Sequence, residues 1–385
     1  MMRLFINCLS ASAGGGLTYV RNVIPLLAKE PDLQVTVALS RGLRGEFTEH
    51  SNLDFLETET SPGRRFWFEQ SELPSLIRRA HSDVLLSAGN FAVRKSPVPQ
   101  ILLSRNSLYT SSDFYRDLMS RREYRAWLET RLKGWLAKKS IEWAEVTVAP
   151  SHAFAKELER WTGKQVHTIY HGFNYDQFAS DHSSLDEGVA NRLQSTEGAV
   201  RLLFVSHYNY YRNFETLLRA LPLLRERMAP RPVRLLLTCT LAKEGNPGSY
   251  DPGRASRLIR DMAVSEMVVE LGSISYRRLH HLYRNADIYV TPAYTETFAH
   301  PLVEAMASGL PVAASDLPVH REICAEAAVY FSPFSSAGLA ECISEIANSR
   351  DRRQKMVTAG TARVSQFSWK RHVDEILALA RTLVA

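Results

Sequence analysis

The chain has 385 residues, of which 45% are hydrophobic and 23% are charged, and its formal net charge at pH 7 is +6. These ordinary proportions exclude a disordered, collagenous or coiled-coil protein, and the length predicts two domains. The positive charge is too small to indicate a nucleic-acid partner. An anionic small molecule or an anionic lipid surface would account for it equally well.

Four isolated cysteines, Cys8, Cys239, Cys324 and Cys342, form no CxxC pair and no zinc-type cluster with histidine. They predict buried thiols in a reducing compartment. The first apolar run is broken at Asn7, which indicates a strand rather than a signal peptide. No run approaches the ~18–20 residues of a membrane span. We therefore expect a cytoplasmic protein.

Short apolar strands alternate with helical patterns along the first half of the chain, which is typical of βαβ units with parallel strands. Residues 17–29 carry apolar side chains at helical spacing. The predicted strands are residues 3–8, 34–39, 84–87, 100–104 and 146–149.

The alternation stops in a polar stretch at residues 174–198 and then begins again. We expect two doubly wound, Rossmann-like α/β domains with parallel sheets, at residues 1–173 and 199–366, joined by a linker at residues 174–198. Ligands of such sheets bind beyond the carboxyl ends of the strands, and here also between the domains. The second domain is predicted to contain strands 201–206, 234–238, 268–271, 288–291, 312–314 and 328–331, and helices 214–227 and 301–307.

Residues 114–143 carry eight basic side chains and three tryptophans, Trp127, Trp135 and Trp143. One interpretation is a single long helix packed against the N-terminal sheet, with its tryptophans in the core. The other is a basic, aromatic face that binds an anionic membrane surface. Both can hold at once if the charges face outward.

A glycine triplet at residues 14–16 lies between the first predicted strand and the first predicted helix. Glycine lets the backbone approach a ligand closely, and the free N–H groups of a helix start favour an anion. The motif is neither GxGxxG, which disfavours a dinucleotide, nor GxxxxGK[ST], which excludes a P-loop. Taken alone, the triplet would fit a tight turn equally well.

Glu296 and Glu304 flank a helix start at Pro301. We expect Glu304 in the first helical turn at the carboxyl edge of the sheet, where a glutamate can accept hydrogen bonds from both hydroxyls of a ribose. An exposed acid favoured by the helix dipole is the simpler explanation of Glu304 alone. The loop residues whose backbone N–H groups can face an anion are Thr297, Phe298, Ala299 and His300.

The segment from Ser206 to Asn213 follows another predicted strand. Arg212 stands just before the predicted helix 214–227, where a cation aimed at the ligand would hold a diphosphate. A solvent-facing arginine is the alternative for this residue alone.

Jointly these motifs resemble the retaining nucleotide-sugar glycosyltransferases of glycosyltransferase family 4, which have the two-domain GT-B fold. The resemblance extends over nearly the whole chain. The matching motifs are the glycine-rich loop 14–16, the serine that starts a helix in the segment 149–154, the linker motif 169–178, the stretch 206–213, the E-x7-E pair Glu296 and Glu304, and the tail 367–369.

The resemblance implies two domains that face each other across a cleft, with a final helix at residues 367–385 that crosses back to the first domain. It also implies a UDP- or GDP-linked sugar donor in the second domain and a glycan or lipid-linked acceptor in the first. The implied catalytic residues are Glu296 and Arg212. The implied donor-binding residues are Gly15, Gly16, Ser206, His207, Arg212, Thr297, Phe298, Ala299, His300 and Glu304. The implied acceptor-side residues are Asn90, Arg105 and Asn106.

The implied reaction is the retaining transfer of a hexose during bacterial cell-surface polysaccharide synthesis, at the inner face of the membrane. Because the sequence has no Asp-x-Asp motif, we expect neither a metal ion nor another cofactor. The sequence departs from the family pattern where Thr297 and Ala299 replace glycines and where His207 replaces a phosphate-binding arginine. A non-catalytic partner subunit and a nucleotide-sugar epimerase are the alternative functions for this fold.

Overall fold

The computed structural model describes residues 1–11, 14–58, 61–242 and 250–384. The chain divides into two compact units. The first contains Met1–Ser112, Leu118–Gly172 and the chain from Phe367 onward, and the second contains Asp113–Asp117 and Phe173–Gln366. Each is an α/β unit built on a parallel sheet, so the predicted fold class is confirmed.

The first unit contains most of the N-terminal half of the chain. Its strands are β1 (Met2–Asn7), β2 (Leu33–Ser40), β3 (Leu53–Thr58), β4 (Val84–Ser87), β5 (Gln100–Leu103), β6 (Val146–Ala149) and β7 (His167–Thr168). Its helices, in the same order along the chain, are α1 (Gly14–Leu27), α2 (Arg41–Arg44), α3 (Pro62–Ser71), α4 (Leu73–Arg79), α6 (Tyr124–Trp143) and α7 (His152–Thr162). Helix α5 (Ser112–Ser120) comes between α4 and α6 in the chain, and its residues Asp113–Asp117 group with the second unit.

The seven strands of this sheet follow the order β3-β2-β1-β4-β5-β6-β7 and are parallel. Successive side chains of a strand point to opposite faces, so the sheet has a core on each side. Leu4 and Ile6 of β1 pack with α1, whereas Phe5 packs with α4 on the other face. The chain order reverses between β1 and β4, which is where sheets of this kind bind ligands.

The second unit contains the next series of strands and helices. Its strands are β8 (Val200–Phe204), β9 (Val233–Leu237), β10 (Val268–Glu270), β11 (Ile288–Thr291), β12 (Val312–Ser315) and β13 (Ala328–Phe331). Its helices are α8 (Tyr175–Phe178), α9 (Glu187–Gln194), α10 (Phe214–Arg227), α11 (Gly253–Asp261), α12 (Leu279–Arg284), α13 (His300–Ala307), α14 (Pro318–Cys324), α15 (Ser336–Asn348) and α16 (Arg350–Val364).

The second sheet has the order β10-β9-β8-β11-β12-β13, again with parallel strands. Its chain order reverses between β8 and β11, where Leu202 lies beside Ile288. The loops that follow these two strands carry the segment from Ser206 and the segment with Glu296. The topology therefore places both predicted donor-binding segments at the ligand-binding edge of one sheet.

The C-terminal helix α17 (Trp369–Val384) belongs to the first unit. It contributes Trp369, Val373 and Ile376 to the core formed by β1 and α1. Gly172 lies against its first residue: a Cβ on Gly172 would be 2.0 Å from the backbone nitrogen of Trp369. Only a glycine allows this approach.

The observed strands lie within two residues of the predicted ones, and the structure adds β3 and β7. In β3, Asp54 and Glu57 are exposed, so this edge strand has no continuous apolar run. Strand β7 has only two residues, too few for a pattern. The four cysteines are unpaired and buried, which confirms the prediction of buried thiols.

Residues 174–198, predicted to be a linker, carry α8 and α9 and group with the second unit. Phe178, Val189 and Leu193 are buried there. Because most residues of this stretch are polar and these three apolar residues are widely spaced, the sequence showed no helical pattern here.

The prediction of one long helix over residues 114–143 is wrong, because α5 ends at Ser120 and α6 begins at Tyr124. Arg122, between them, has a φ of 62°, which a continuing helix cannot accommodate. The prediction of three core tryptophans is also wrong. Trp135 is 61% exposed, while Trp127 and Trp143 are half-buried.

Candidate active site

The glycine triplet begins α1 at the carboxyl end of β1. Gly14 has a φ of 56°, a conformation that favours glycine. A Cβ on Gly16 would lie 3.4 Å from the Cα of Ala11, whereas a Cβ on Gly15 would meet no atom within 4 Å. Gly15 and Gly16 occupy the first turn of α1, where backbone N–H groups lack partners within the helix.

Arg105 connects this loop to the loop that follows β4. Its guanidinium donates hydrogen bonds to the carbonyl oxygens of Gly15, at 3.2 Å, and of Ala88. It also lies 4.9 Å from the ring centre of Tyr19. The side-chain oxygen of Asn90 accepts a hydrogen bond of 2.6 Å from the backbone N–H of Arg105. The structure thus brings two predicted acceptor-side residues together beside the glycine triplet.

The third acceptor-side residue, Asn106, has a local structural role. Its side-chain oxygen accepts a 3.0 Å hydrogen bond from the N–H of Leu108 and so caps the short 3₁₀ turn Ser107–Tyr109. The side chains of Asn90, Arg105 and Asn106 therefore all shape the loops beyond β4 and β5.

Ser206 and His207 follow β8 at the carboxyl edge of the second sheet. The N–H of Ser206 donates to the hydroxyl oxygen of Thr238 at 3.0 Å, and the Ser206 hydroxyl donates to the carbonyl oxygen of His207 at 2.7 Å. Partial burial of the ring and the nearby Arg212 guanidinium lower the pKa of His207 below its ordinary value. Its imidazole is therefore neutral at pH 7 and offers a phosphate a hydrogen bond without charge.

Arg212 and Glu296 come from loops 84 residues apart and form an ion pair, with Nη1 of Arg212 2.5 Å from Oε1 of Glu296. Both side chains are mostly buried. Burial by itself lowers the pKa of Arg212, but Glu296 and the phenols of Tyr211 and Tyr289 raise it above its ordinary value. The guanidinium is therefore permanently charged.

The Arg212–Glu296 pair leaves one donor unused. Nε of Arg212 is buried and has no hydrogen-bond partner among the residues that the structure describes. A buried donor without a partner costs free energy, which a bound anion would recover.

The loop between Glu296 and α13 turns at Ala299, whose φ of 63° and ψ of 64° are left-handed. This conformation is unfavourable for a residue with a Cβ. Phe298 is buried, and its ring lies 4.9 Å from that of His300. The buried Phe298 therefore anchors a loop, beginning at Thr297, that leads directly into the start of α13.

Glu304 lies just beyond the first turn of α13 and not within it as predicted, because the helix begins at His300 rather than at Pro301. The residue is 4% exposed. The hydroxyl of Tyr283 on α12 donates a 2.8 Å hydrogen bond to Oε2 of Glu304. Burial raises the pKa of Glu304 to about 7, although the hydrogen bond from Tyr283 lowers it. A buried carboxyl group of this kind is typical of functional sites.

Sequence reasoning missed two residues of this site, Asn213 and Tyr283. Asn213 has a left-handed backbone (φ 57°), and its amide donates to the carbonyl oxygens of Pro292 at 3.0 Å and Pro333 at 2.6 Å. Its place after Arg212 was a usable signal, since asparagine tolerates this conformation. Tyr283 gave no signal, because a phenol within a helical apolar pattern looks like an ordinary core residue.

The structure thus gathers Arg212, Glu296 and Glu304 around the ring of Tyr289 in β11, whose pKa is raised mainly by burial and is affected by all three charges. This arrangement can bind an anion at Arg212 and a diol at Glu304. Among the residues described, no group of three or more His, Cys, Asp or Glu side chains could hold a metal ion. No helix in the described ranges is long and apolar enough to cross a membrane.

Two family descriptions match the chain: "Glycosyltransferase Family 4" over residues 13–177 and "Glycosyl transferases group 1" over residues 189–363. The two matches fall on the two units in turn. The chain belongs to glycosyltransferase family 4. The resemblance that the motifs indicated is therefore confirmed.

Curated relatives of this family member are distant. The chain is 30% identical over 179 residues to D-inositol 3-phosphate glycosyltransferase 2 of Catenulispora acidiphila, over 46% of this chain and 41% of that protein. It is 36% identical over 77 residues to the O-antigen chain mannosyltransferase RfbU of Salmonella typhimurium, over 20% of this chain and 22% of that protein. Each match spans less than half of the relative's own length.

Solved structures resemble the whole chain. Sucrose-phosphate synthase from Thermosynechococcus elongatus has a TM-score of 0.75 at 18% identity, covering 100% of this chain and 99% of that one. HepE of Anabaena, solved in complex with UDP-glucose, has a TM-score of 0.71 at 15% identity and is covered fully in both directions. With the two parallel sheets, these likenesses show the GT-B fold.

Proposed function

We propose that this family 4 member is a glycosyltransferase that moves a sugar from a UDP- or GDP-linked donor to a hydroxyl group of an acceptor. The observation that carries the proposal is the pairing, at one sheet edge, of a charged Arg212 that has an unsatisfied Nε with a buried Glu304. The guanidinium of Arg212 can bind a diphosphate, and the carboxyl group of Glu304 can accept hydrogen bonds from a ribose. The glycosyltransferase names of the relatives support the transfer of a sugar, and the UDP-glucose complex of HepE supports a UDP-linked donor.

Arg212 has the role of neutralising the charge that grows on the leaving diphosphate. The N–H groups of residues 297–300 in the same unit are the further donors, since helix starts favour anions. Donors fixed in advance toward a developing negative charge are each worth about 2.7–4 kcal/mol in comparable sites. Since the sequence has no Asp-x-Asp motif, these groups replace a metal ion in the proposed reaction.

Glu296 orients the hydroxyl groups of the donor sugar, and its ion pair holds Arg212 in place until the diphosphate binds. The anomeric carbon breaks its bond to the phosphate oxygen and forms a bond to the acceptor oxygen on the same face. The acceptor's proton passes to the leaving phosphate. This route retains the anomeric configuration and requires no protein nucleophile.

The acceptor in this proposal is a glycan or a lipid-linked sugar bound by the first unit, and the pathway is cell-surface polysaccharide synthesis. The similarity to the O-antigen chain mannosyltransferase RfbU supports this class of acceptor. Asn90, Arg105 and Asn106 shape the acceptor side by fixing the loops beyond β4 and β5.

Calorimetry with UDP and GDP, followed by release of nucleoside diphosphate from a panel of donors, tests this function. Arg212→Met should lower turnover about 10²–10³-fold, whereas Arg219→Met, on the exposed side of α10, should be neutral.

Turnover should persist in excess EDTA, and NMR of the product should show that the transferred sugar keeps the anomeric configuration of the donor. If the protein binds a nucleotide but shows no turnover, it is a non-catalytic subunit. If it converts the donor sugar without transferring it, it is an epimerase. If activity is lost in EDTA and restored only by Mg²⁺, the metal-free reaction is contradicted.

We also propose that α6 docks on the anionic inner face of the cytoplasmic membrane. Four large side chains of α6 are each more than half exposed: Tyr124, Leu128, Leu132 and Trp135. At about 100° per residue they form one stripe, opposite the buried Gly134, Ala137, Ser140 and Ile141. Residues 114–143 carry eight basic and four acidic side chains, so the stripe lies in a positively charged surface. Exposed apolar groups with surrounding positive charge are typical of helices that lie in a membrane interface.

Co-sedimentation with phosphatidylglycerol vesicles tests the docking. The double variant Leu132→Ser, Trp135→Ser should lose binding, and salt should weaken binding of the wild type. Trp67→Ser is the matched control, because Trp67 is also more than half exposed but lies on α3. Equal sedimentation of all three proteins would contradict the proposal, and concentration-dependent dimers that the double variant abolishes would assign the stripe to a second copy of the chain.

A further inference from the structure

The Tyr283 hydroxyl and the Glu304 carboxyl form a buried pair behind the proposed ribose site. Tyr283 is 1% exposed and Glu304 is 4% exposed. The hydroxyl lies 2.8 Å from Oε2 of Glu304 and 3.4 Å from the carbonyl oxygen of Pro301. Tyr283 is on α12 and Glu304 on α13, so the bond ties the nucleotide-side helix to its neighbour.

Three buried phenols of the described structure interact electrostatically with Glu304. They are Tyr283 of α12, Tyr276 of the 3₁₀ turn Tyr276–Arg278, and Tyr289 of β11. Burial is the main cause that raises the pKa of each phenol, so all three remain protonated at neutral pH. Of the three, the Tyr283 hydroxyl donates a hydrogen bond to Glu304, which favours the carboxylate without supplying a full positive charge.

We infer that Tyr283 is a positioning residue of the nucleotide site: its hydroxyl holds Oε2 of Glu304, so that Oε1 is the oxygen presented to the ribose. The inference rests on the proposed function, in which Glu304 accepts hydrogen bonds from the ribose. A ribose diol donates two hydrogen bonds, and only a carboxylate accepts both without competition. When Oε2 accepts the hydrogen bond from Tyr283, protonation of Glu304 takes place on Oε1. The protonated Oε1 is then a hydrogen-bond donor that faces the ribose hydroxyls, which are donors too.

The arrangement makes nucleotide binding depend on pH in a way that Tyr283 controls. The pKa of Glu304 is about 7, with burial raising it and the Tyr283 hydrogen bond lowering it. Removing the hydroxyl raises this pKa further. If the rise is about one unit, the ionised fraction at pH 7 falls about fivefold, whereas at pH 9 it stays close to complete.

Calorimetric titration with UDP and GDP from pH 6 to pH 9 tests the inference on the full chain. Tyr283→Phe should bind about fivefold more weakly than wild type at pH 7 and equally at pH 9. Glu304→Gln should bind weakly at every pH and show no such dependence. Tyr289→Phe is the matched control, because it removes a buried phenol hydroxyl whose ring stacks on Tyr283 at 5.8 Å and leaves the Tyr283–Glu304 bond intact.

A Tyr283→Phe defect that is the same at all pH values, or is absent, would overturn the inference and leave the proposed function standing. So would an equal pH shift in Tyr289→Phe. If Glu304→Gln binds nucleotide like wild type, the assignment of Glu304 to the ribose fails first. A crystal structure of wild type with UDP gives a check that needs no variant. It should show ribose hydroxyls on Oε1 with Tyr283 still on Oε2, and a carboxylate turned away from Tyr283 would overturn the inference.

Discussion

At the scale of single residues, Ala299 occupies a backbone conformation that suits glycine. Its left-handed backbone costs a residue with a Cβ about 1–2 kcal/mol. Glycine removes this cost but adds about 0.4–1 kcal/mol of unfolded-state entropy. We expect Ala299→Gly to raise the free energy of unfolding by about 0.5–1 kcal/mol, measured by urea denaturation. Ala305→Gly, in the regular part of α13, should lower it by a similar amount. Destabilisation by Ala299→Gly would contradict this account.

Glu304 is a residue at which stability and function oppose each other. Its folded-state pKa of about 7 lies above the ordinary value of 4.5, so the folded state keeps a proton that the unfolded state releases. Stability therefore falls as pH rises from 4.5 to 7, by up to about 3 kcal/mol. Glu304→Gln removes this loss. The melting temperature of the variant, compared with wild type, should rise between pH 5 and pH 8, and a constant difference would contradict the raised pKa.

At the scale of elements, Asn213 fixes the start of α10 to the loops after β11 and β13. Asn213→Ala would leave the carbonyl oxygens of Pro292 and Pro333 without this donor and place a Cβ residue in a left-handed conformation. We expect a loss of about 2–3 kcal/mol in unfolding free energy. Asn213→Gly keeps the backbone conformation and loses only the hydrogen bonds, so it should be destabilised less. If both variants unfold like wild type, the amide is not what holds the loops.

The same elements show what the sequence can and cannot predict. Strands 84–87 and 146–149 were predicted to the residue, because a strand buried on both faces is a short apolar run with clear ends. The Arg212–Glu296 pair could be predicted only through the family motif, since 84 residues separate its members and no local pattern links them. The break at Arg122 and the exposure of Trp135 could not be predicted, because a helical pattern alone does not show which face of a helix packs against the rest of the protein.

At the scale of the whole molecule, the chain leaves the first unit after Gly172 and returns to it at Phe367. These two points touch, since a Cβ on Gly172 would lie 2.0 Å from the backbone nitrogen and 2.4 Å from the Cα of Trp369. Both clashing atoms are backbone, so no side-chain rotation relieves them. The start of α17 is therefore fixed by a position nearly two hundred residues earlier.

Gly172→Ala should consequently displace the start of α17 and weaken its packing on the core of β1 and α1. A shift of the α17 backbone breaks the contacts of Trp369 and the hydrogen bond of 2.8 Å between Nδ1 of His372 and the carbonyl oxygen of Tyr170. We expect a loss of about 3 kcal/mol or more in the stability of the first unit, and limited proteolysis should release the C-terminal segment earlier than in wild type. Gly188→Ala, in α9 with open space around its Cβ position, should be neutral or slightly stabilising. Equal proteolysis of the two variants would show that the close approach at Gly172 does not hold α17 in place.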